Sequence, residues 1–306
     1  MTQTTVGFDR DSVSLGVTPT LWWNDDFPEL DAGITFGQAV SEMALAGFEG
    51  CSIGHKYPTD VAVLREELGR RGLAVSEPWT STFFTINAGH DRTIAAFHDS
   101  LAFIKAMGGT DLVVAELGRT AHTQPVPLAP NRAVFDDEQW DALASGLNAL
   151  GKLADQEGMR LSYHHHMGTG VQTRADVDRL MEMTDPELVH LLLDVGHMHY
   201  AGGDPLAVAR DHAERIAHLH LKNIRQPVLD AALAEDLSFQ EAIRRGVFTV
   251  PGDPQGCIDF EPILRVMAER GYHGWIVVEA EQDPNVANPL DHARMARNYL
   301  REVLGF

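Results

Sequence analysis

Five predicted β-strands end in side chains able to bind a metal ion or move a proton. The fifth gives His164 and His166, with His165 pointing to the other face, and the sixth gives Asp194, followed in the loop by His197. The seventh gives His218, His220 and Lys222 on one parity, and the eighth gives Glu279 and Glu281; Glu116 ends the fourth. Side chains two apart on a strand share a face, and in a barrel of parallel strands those nearest the C-terminal end reach the active-site mouth. Gathering so many ionisable groups at one mouth costs desolvation and like-charge repulsion unless they share a divalent cation. Oxygen and imidazole donors without thiolates suit Mn²⁺, Co²⁺, Mg²⁺ or Zn²⁺ and give no reason for copper or an iron–sulfur cluster. Asp194, His220 and Glu279 each end a strand of their own and form the firmest part of the set. His90, His98, His122, His190, His212 and His273 stand apart from this pattern and read as structural histidines.

The elements that must position these groups repeat one pattern: amphipathic helix, glycine, short apolar strand, polar loop. Helices are predicted over residues 36–48, 61–71, 94–107, 138–156, 175–183, 206–216, 262–270 and from Asn288-Pro289 onward. Strands are predicted over 13–18, 49–54, 73–76, 111–116, 160–164, 189–194, 217–222 and 275–281. Glycine just past a helix takes the left-handed conformation that closes its last turn, which makes this punctuation informative. Eight alternating units imply right-handed crossovers and a parallel sheet, and the fold class is α/β: a single (β/α)₈ TIM barrel over residues 12–306 behind a polar tail, 1–11. Two segments break the rhythm, residues 117–135 with three prolines and residues 225–255 with a polar helix-like stretch. Both follow C-terminal ends of strands, where barrel enzymes build their sites.

Composition removes several function classes. With 24 basic against 44 acidic residues the chain carries a formal charge of −20, which repels phosphate backbones and anionic lipid heads; neither nucleic acid nor membrane is expected as a partner. Two cysteines, Cys51 and Cys257, cannot frame a chain of 306 residues with disulfides and fit the cytoplasm. There is no Walker lysine, no G-x-G-x-x-G after the first strand and no G-x-S-x-G elbow. Trp22, Trp23, Asn24, Asp25 and Asp26 follow the first strand and Trp79 the third; aromatic and polar groups together there suit a polyol or sugar ring, or pack under a loop.

At these residues the chain resembles the inosose dehydratases (2-keto-myo-inositol dehydratases) of the xylose-isomerase-like barrel superfamily. The resemblance rests on Trp23-Asn24-Asp25-Asp26, on Ser41 to Phe48, and on His164-His165-His166-Met167-Gly168-Thr169-Gly170-Val171-Gln172-Thr173. It continues through Asp194-x-Gly196-His197, His218-x-His220-Leu221-Lys222, Phe248 to Asp253 and Val278 to Pro284. It implies a divalent metal, Mn²⁺ or Co²⁺ first and Mg²⁺ or Zn²⁺ as alternatives, held by Asp194, His220 and Glu279. His164 stands where the superfamily carries a glutamate, and His197 corresponds to a substrate-contacting histidine. Glutathione enters as a second cofactor through the resemblance alone. The implied reaction removes the proton α to a ketone and expels the β-hydroxyl, with His166, His197, Lys222 and Glu116 as candidate acids and bases. Trp23, Asn24, Trp79, Arg225 and Glu281 are the candidates for holding the small keto-polyol or keto-sugar substrate, and a homo-oligomer is compatible with all of this. A ketose isomerase or epimerase, and a lyase acting on a 3-keto-glycoside, would use the same metal site. The chain departs from its relatives at His55, Glu116-Leu117-Gly118-Arg119 and Asn223, all expected near the mouth.

Overall fold

The computed structural model describes residues 5–306. Its strands are β1 (Val13–Val17), β2 (Gly50–Cys51), β3 (Ala74–Val75), β4 (Trp79–Thr82), β5 (Asp111–Glu116) and β6 (Arg160–His164), then β7 (Val189–Asp194), β8 (Ile216–Leu221), β9 (Asn223–Ile224), β10 (Phe248–Thr249) and β11 (Gly274–Val278). Nine of them form one sheet in the order β3-β2-β1-β11-β8-β7-β6-β5-β4, every neighbouring pair parallel. The two ends of that order, β3 and β4, are consecutive pieces of one extended segment broken at Ser76-Glu77-Pro78. The sheet therefore curls until its ends meet, with eight strand positions around the barrel.

Eight outer helices follow those positions: Phe36–Ala46, Val61–Gly69, Gly89–Met107, Asp137–Gln156, Arg174–Met183, Pro205–Asp211, Glu261–Glu269 and Pro289–Leu304. Their ends follow local chemistry. Thr35 accepts from the Gln38 N–H at the first start, and Gly47, at φ 93°, closes that helix. Asp136 and Gln139 cap the longest helix reciprocally. Gly202-Gly203-Asp204-Pro205 is the expected helix-opening turn, with Asp204 accepting from the Leu206 N–H.

The main core fills the space between barrel and helices and includes Leu15, Leu112, Leu161, Leu191, Leu219 and Ile276, each fully buried. A second apolar cluster, including Phe27, Leu128, Met167, Tyr200, Phe239 and Phe248, lies over the C-terminal ends of the strands. It is built from the loops and from the 225–255 insertion, in which helices Gln226–Ala234 and Phe239–Arg244 and strand β10, paired antiparallel with β9 just ahead of the insertion, replace the expected single polar stretch. The polar tail also differs from expectation. Residues 1–4 lie outside the described residues, Val6 is buried and its N–H donates to Val303 O, and Arg10–Ser12 form a 3₁₀ turn. Among the described residues no helix is long and apolar enough to cross a membrane.

Candidate metal centre and active-site mouth

Strand register brings the metal-capable groups together. Asp194 and His220 are paired residues on β7 and β8, and His164 ends β6 beside them. Glu279 follows the last residue of β11, with its N–H donating to Leu221 O at 3.3 Å. One donor atom each from His164, Asp194, His220 and Glu279 lies within 4.8 Å of the others, and all four side chains are buried. His220 Nδ1 donates to Glu279 Oε2 at 2.6 Å, while Asp194 Oδ2 lies 3.6 Å from His164 Nε2 and 3.8 Å from His220 Nδ1.

The fit of a divalent ion to this group rests on Asp194. Its Oδ1 accepts from the His197 N–H at 2.8 Å, but its buried Oδ2 has no hydrogen-bond partner among the described residues. A carboxylate oxygen left bare in a protein interior costs stability unless a cation meets it. Four carboxylates, Glu77, Asp194, Glu279 and Glu281, converge here on the single ammonium of Lys222 and on histidines. Burial opposes protonation of His220, yet Glu279 and Glu77 raise its pKa to about 10. Burial likewise works to raise Asp194 and Glu279, but Lys222 and the neighbouring histidines hold both carboxyls down. Anionic oxygens and imidazole nitrogens gathered this way suit a Zn²⁺-, Mn²⁺- or Co²⁺-like ion. The residues present fit the group.

Beside this set lie His166, His197 and Glu281, also close enough to share a cation. Lys222 supplies it: the ammonium donates to His197 Nε2 and to Glu281 Oε2, both at 2.8 Å. The same charge and the Phe239 ring, 5.4 Å from His166 and 5.9 Å from His197, explain the local electrostatics. Burial first, then neighbouring histidines and Lys222, push His166 and His197 well below the usual histidine range. Burial and Glu279 push the Glu281 carboxyl up, against the pull of Lys222.

A cavity of about 170 Å³ opens on the metal-capable group. It is small against the ~300–1,000 Å³ of drug-sized sites and matches a single ring. His164, His166, His220, Glu279 and Glu281 form its floor, and Asn24, Trp79 and Ser52 are among its walls. Asn24 presents a buried Nδ2 with no partner among the described residues, and Trp79 sets its ring edge-on to His164. His197 and Lys222, both fully buried, lie behind the wall rather than on it.

Three expected site residues sit elsewhere. Glu116 is buried at the end of β5 with its carboxylate filled by hydrogen bonds from Thr82, Phe84, Thr85 and Gly118, so it has no capacity left for a substrate proton. Trp23 packs under the loop against His55, Tyr57 and Lys56, not on the cavity. Arg225 donates to Gly246 O, Phe248 O, Thr249 Oγ1 and Asp253 Oδ2, pinning the insertion. Asn223, one of the departures from the relatives, is likewise structural: its Oδ1 accepts from the Ile224 and Ile258 N–H groups. His55 holds Asp25, which lines the cavity, through Nδ1 at 2.6 Å.

Two ionisable cavity residues escaped the sequence reading. His122, grouped with the structural histidines, lines the cavity, sets its ring 4.8 Å from that of His166 at a tilt of 58° and points Nε2 at Asp26 Oδ2. Glu77 lines it from the break in the third barrel strand. A charged residue beside the proline that breaks an apolar run was the available signal.

Comparison with known proteins agrees with this geometry. A model for the xylose isomerase-like TIM barrel matches residues 38–303. Proteins named inosose dehydratase from Clostridium beijerinckii and Geobacillus thermodenitrificans are each 48% identical over 299 residues, 97% of this chain and 99% of theirs. A crystal structure of the IOLI protein with a binding zinc atom superposes with a TM-score of 0.70 at 16% identity, covering 95% of this chain and 98% of that one. This chain belongs to the inosose dehydratase family, on a xylose isomerase-like TIM barrel.

Proposed function

We propose that this chain is a metal-dependent hydro-lyase that removes water from a keto-cyclitol such as 2-keto-myo-inositol. The observation that carries the reading is the buried His164–Asp194–His220–Glu279 group, with its bare Asp194 oxygen, on the floor of a ring-sized cavity. Membership of the inosose dehydratase family supplies the substrate class. A divalent ion, Mn²⁺ or Co²⁺ by choice, would polarise the ketone and stabilise the developing enediolate when bound to those four residues.

The chain's own groups must then move two protons. The C–H bond α to the ketone breaks, a carbon–carbon double bond forms, and the β-hydroxyl leaves as water after receiving a proton. His166 is the base: its Nδ1–H is committed to Met167 O at 2.8 Å, which leaves the Nε2 lone pair for the proton, and its surroundings keep the ring neutral. Glu281, on the same cavity floor and pushed toward its protonated form, is the acid. Lys222 and His197 act behind the wall as positioning groups. The ammonium fixes the Glu281 carboxyl and offsets the charge of Asp194 and Glu279, at 3.6 and 3.5 Å. Asn24, Asp25, Asp26 and Ser52 offer hydrogen bonds to ring hydroxyls, and Trp79, 42% exposed, offers an apolar face.

The test is incubation of the protein, loaded with Mn²⁺ or Co²⁺ with and without glutathione, with 2-keto-myo-inositol. A product lighter by one water supports the reading. An isomer of unchanged mass, an aglycone released from a 3-keto-glycoside, or no turnover of the keto-cyclitol overturns it.

A further inference from the structure

Beside the metal-capable floor the barrel carries a second polar cluster that the reaction above does not use. It comes from the break between β3 and β4. The Glu77 carboxylate, 3% exposed, lies 3.4 Å from His218 Nε2 and 3.5 Å from His220 Nε2. His218 and His220 are two apart on β8 and so share its inward face. His220 turns its other nitrogen, Nδ1, toward Glu279 and Asp194. One imidazole therefore links Glu77 to the metal-capable group.

These contacts are close without being well-formed hydrogen bonds. Glu77 Oε2, His220 Nε2 and both ring nitrogens of His218 are buried with no hydrogen-bond partner among the described residues. A carboxylate buried among imidazoles must receive their N–H groups or leave its charge uncompensated. A histidine that ligates through Nδ1 carries its proton on Nε2, and an acceptor there fixes both tautomer and ring plane.

We propose that Glu77 is the positioning residue of the metal centre, receiving the His220 Nε2–H so that Nδ1 faces the ion, while His218 steadies its second oxygen. The proposal rests on the metal-centre reading above. It gives a role to the side chain that stands at the break in the third barrel strand, between β3 and β4. It also separates two roles for buried acids in one cavity: Glu279 meets the ion, and Glu77 orders the residue that meets it.

The experiment uses the full chain, wild type and E77Q, with Mn²⁺ affinity measured by competition with a chelator and folding followed by circular dichroism. E77Q keeps the shape of the side chain and removes its charge. Mn²⁺ affinity is expected to fall about 10–100-fold. The Mn²⁺ concentration for half-activation rises by the same factor, while the thermal midpoint of the ion-free protein stays unchanged. A merely structural role would instead lower that midpoint. If E77Q does not fold, E77D keeps the charge but withdraws it from His220, and the same loss of affinity is expected. A folded variant with wild-type affinity and half-activation overturns the proposal. Two ions per wild-type chain, the second lost in E77Q, also overturn it, because Glu77 would then be a ligand. A wild-type chain that binds no ion would overturn the metal-centre reading itself.

Discussion

Glu116 and Asp194 begin as equals. Each is the last residue of a parallel barrel strand, each is fully buried, and each stands in the sequence as an acid at the active-site mouth. The structure gives them opposite surroundings. Glu116 accepts from the Thr82 and Thr85 hydroxyls at 2.8 Å and from the N–H groups of Phe84, Thr85 and Gly118 at 2.9 to 3.2 Å. The fit is so close that a Cβ at Gly118 would meet Glu116 Oε1 at 2.5 Å. Asp194 accepts one backbone N–H, and its other oxygen receives no hydrogen bond: His164 Nε2, Lys222 Nζ, His220 Nδ1 and His197 Nε2 all stand 3.6 to 3.9 Å away. A carboxylate whose acceptor capacity is filled by the chain is scaffold. One left with an unfilled oxygen, its nitrogen neighbours all beyond hydrogen-bond reach, has room for a metal ion.

The largest effect that could break this comparison is expected at Asp194. D194N keeps the side chain's shape and its acceptor for the His197 N–H. It should fold normally yet lose Mn²⁺ affinity and dehydration by more than about a hundredfold, since even the partners of a ligand are worth about 10–100-fold. Chelator competition and turnover of 2-keto-myo-inositol measure both. Full activity with normal metal binding in a folded D194N would end the assignment of the site.

Next comes the ammonium that Asp194 shares with Glu279 and Glu281. K222M leaves Asp194, Glu279 and Glu281 facing one another without their shared countercharge, and removing one partner of a buried ion pair costs about 3–5 kcal/mol. Saturating Mn²⁺ should recover part of the lost thermal midpoint, because an ion at the Asp194 group restores positive charge next to it. A destabilised K222M that Mn²⁺ leaves unmoved would show that Lys222 serves packing alone. E116Q supplies the mirror image of D194N: an amide cannot accept all the N–H groups that the carboxylate does, so stability should fall by about 1.5–3 kcal/mol in denaturant titration. Its Mn²⁺ affinity should match that of the wild type. A catalytic defect in E116Q without lost stability would return Glu116 to the chemistry.

The contrast also marks how far the sequence could be read. β5, β6 and β7 fall at the predicted residues because each is an apolar run directly behind a helix stopped by glycine or a turn. The four metal-capable residues were legible for the same reason, since strand ends and a period of two decide which side chains share a mouth. What was not legible depended on distant partners. Nothing local to Glu116 announces that Thr82 and Thr85, more than thirty residues earlier, will saturate it. Arg225 looks like a substrate ligand until Asp253 takes it, and Trp23 looks like a platform until the loop bearing His55 and Tyr57 covers it. The third strand failed differently. Ser76-Glu77-Pro78 interrupts its apolar run, and the polar Trp79-Thr80-Ser81-Thr82 beyond it resembles a loop, so the break and its carboxylate went unseen.

The last test asks whether hydrogen bonds received from the chain alone predict a scaffold role, and Asp176 is the place to ask it. Its Oδ2 accepts from Arg132 Nη1 at 2.7 Å, from the Thr173 N–H and hydroxyl at 2.8 and 2.7 Å, and from the Gln172 N–H at 3.2 Å. This acid therefore ties the proline-containing loop to the helix that follows the histidine motif. Burial works to raise its pKa, but Arg132 and the Thr173 donors outweigh it and hold the group below the ordinary 3.8. Because the folded value lies below the unfolded one, the stabilisation is complete above pH 3.8 and is lost as pH falls through the folded value. D176N should cost about 1.5–3 kcal/mol near neutrality. Urea titrations should show that gap narrowing as the pH drops below 3.8, while Mn²⁺ affinity stays at the wild-type level at neutral pH. A gap that persists unchanged in acid would show that Asp176 works through shape rather than charge. Altered metal affinity would show that a carboxylate held by the chain's own donors can still govern the site, and the distinction drawn between Glu116 and Asp194 would no longer hold as a rule for this barrel.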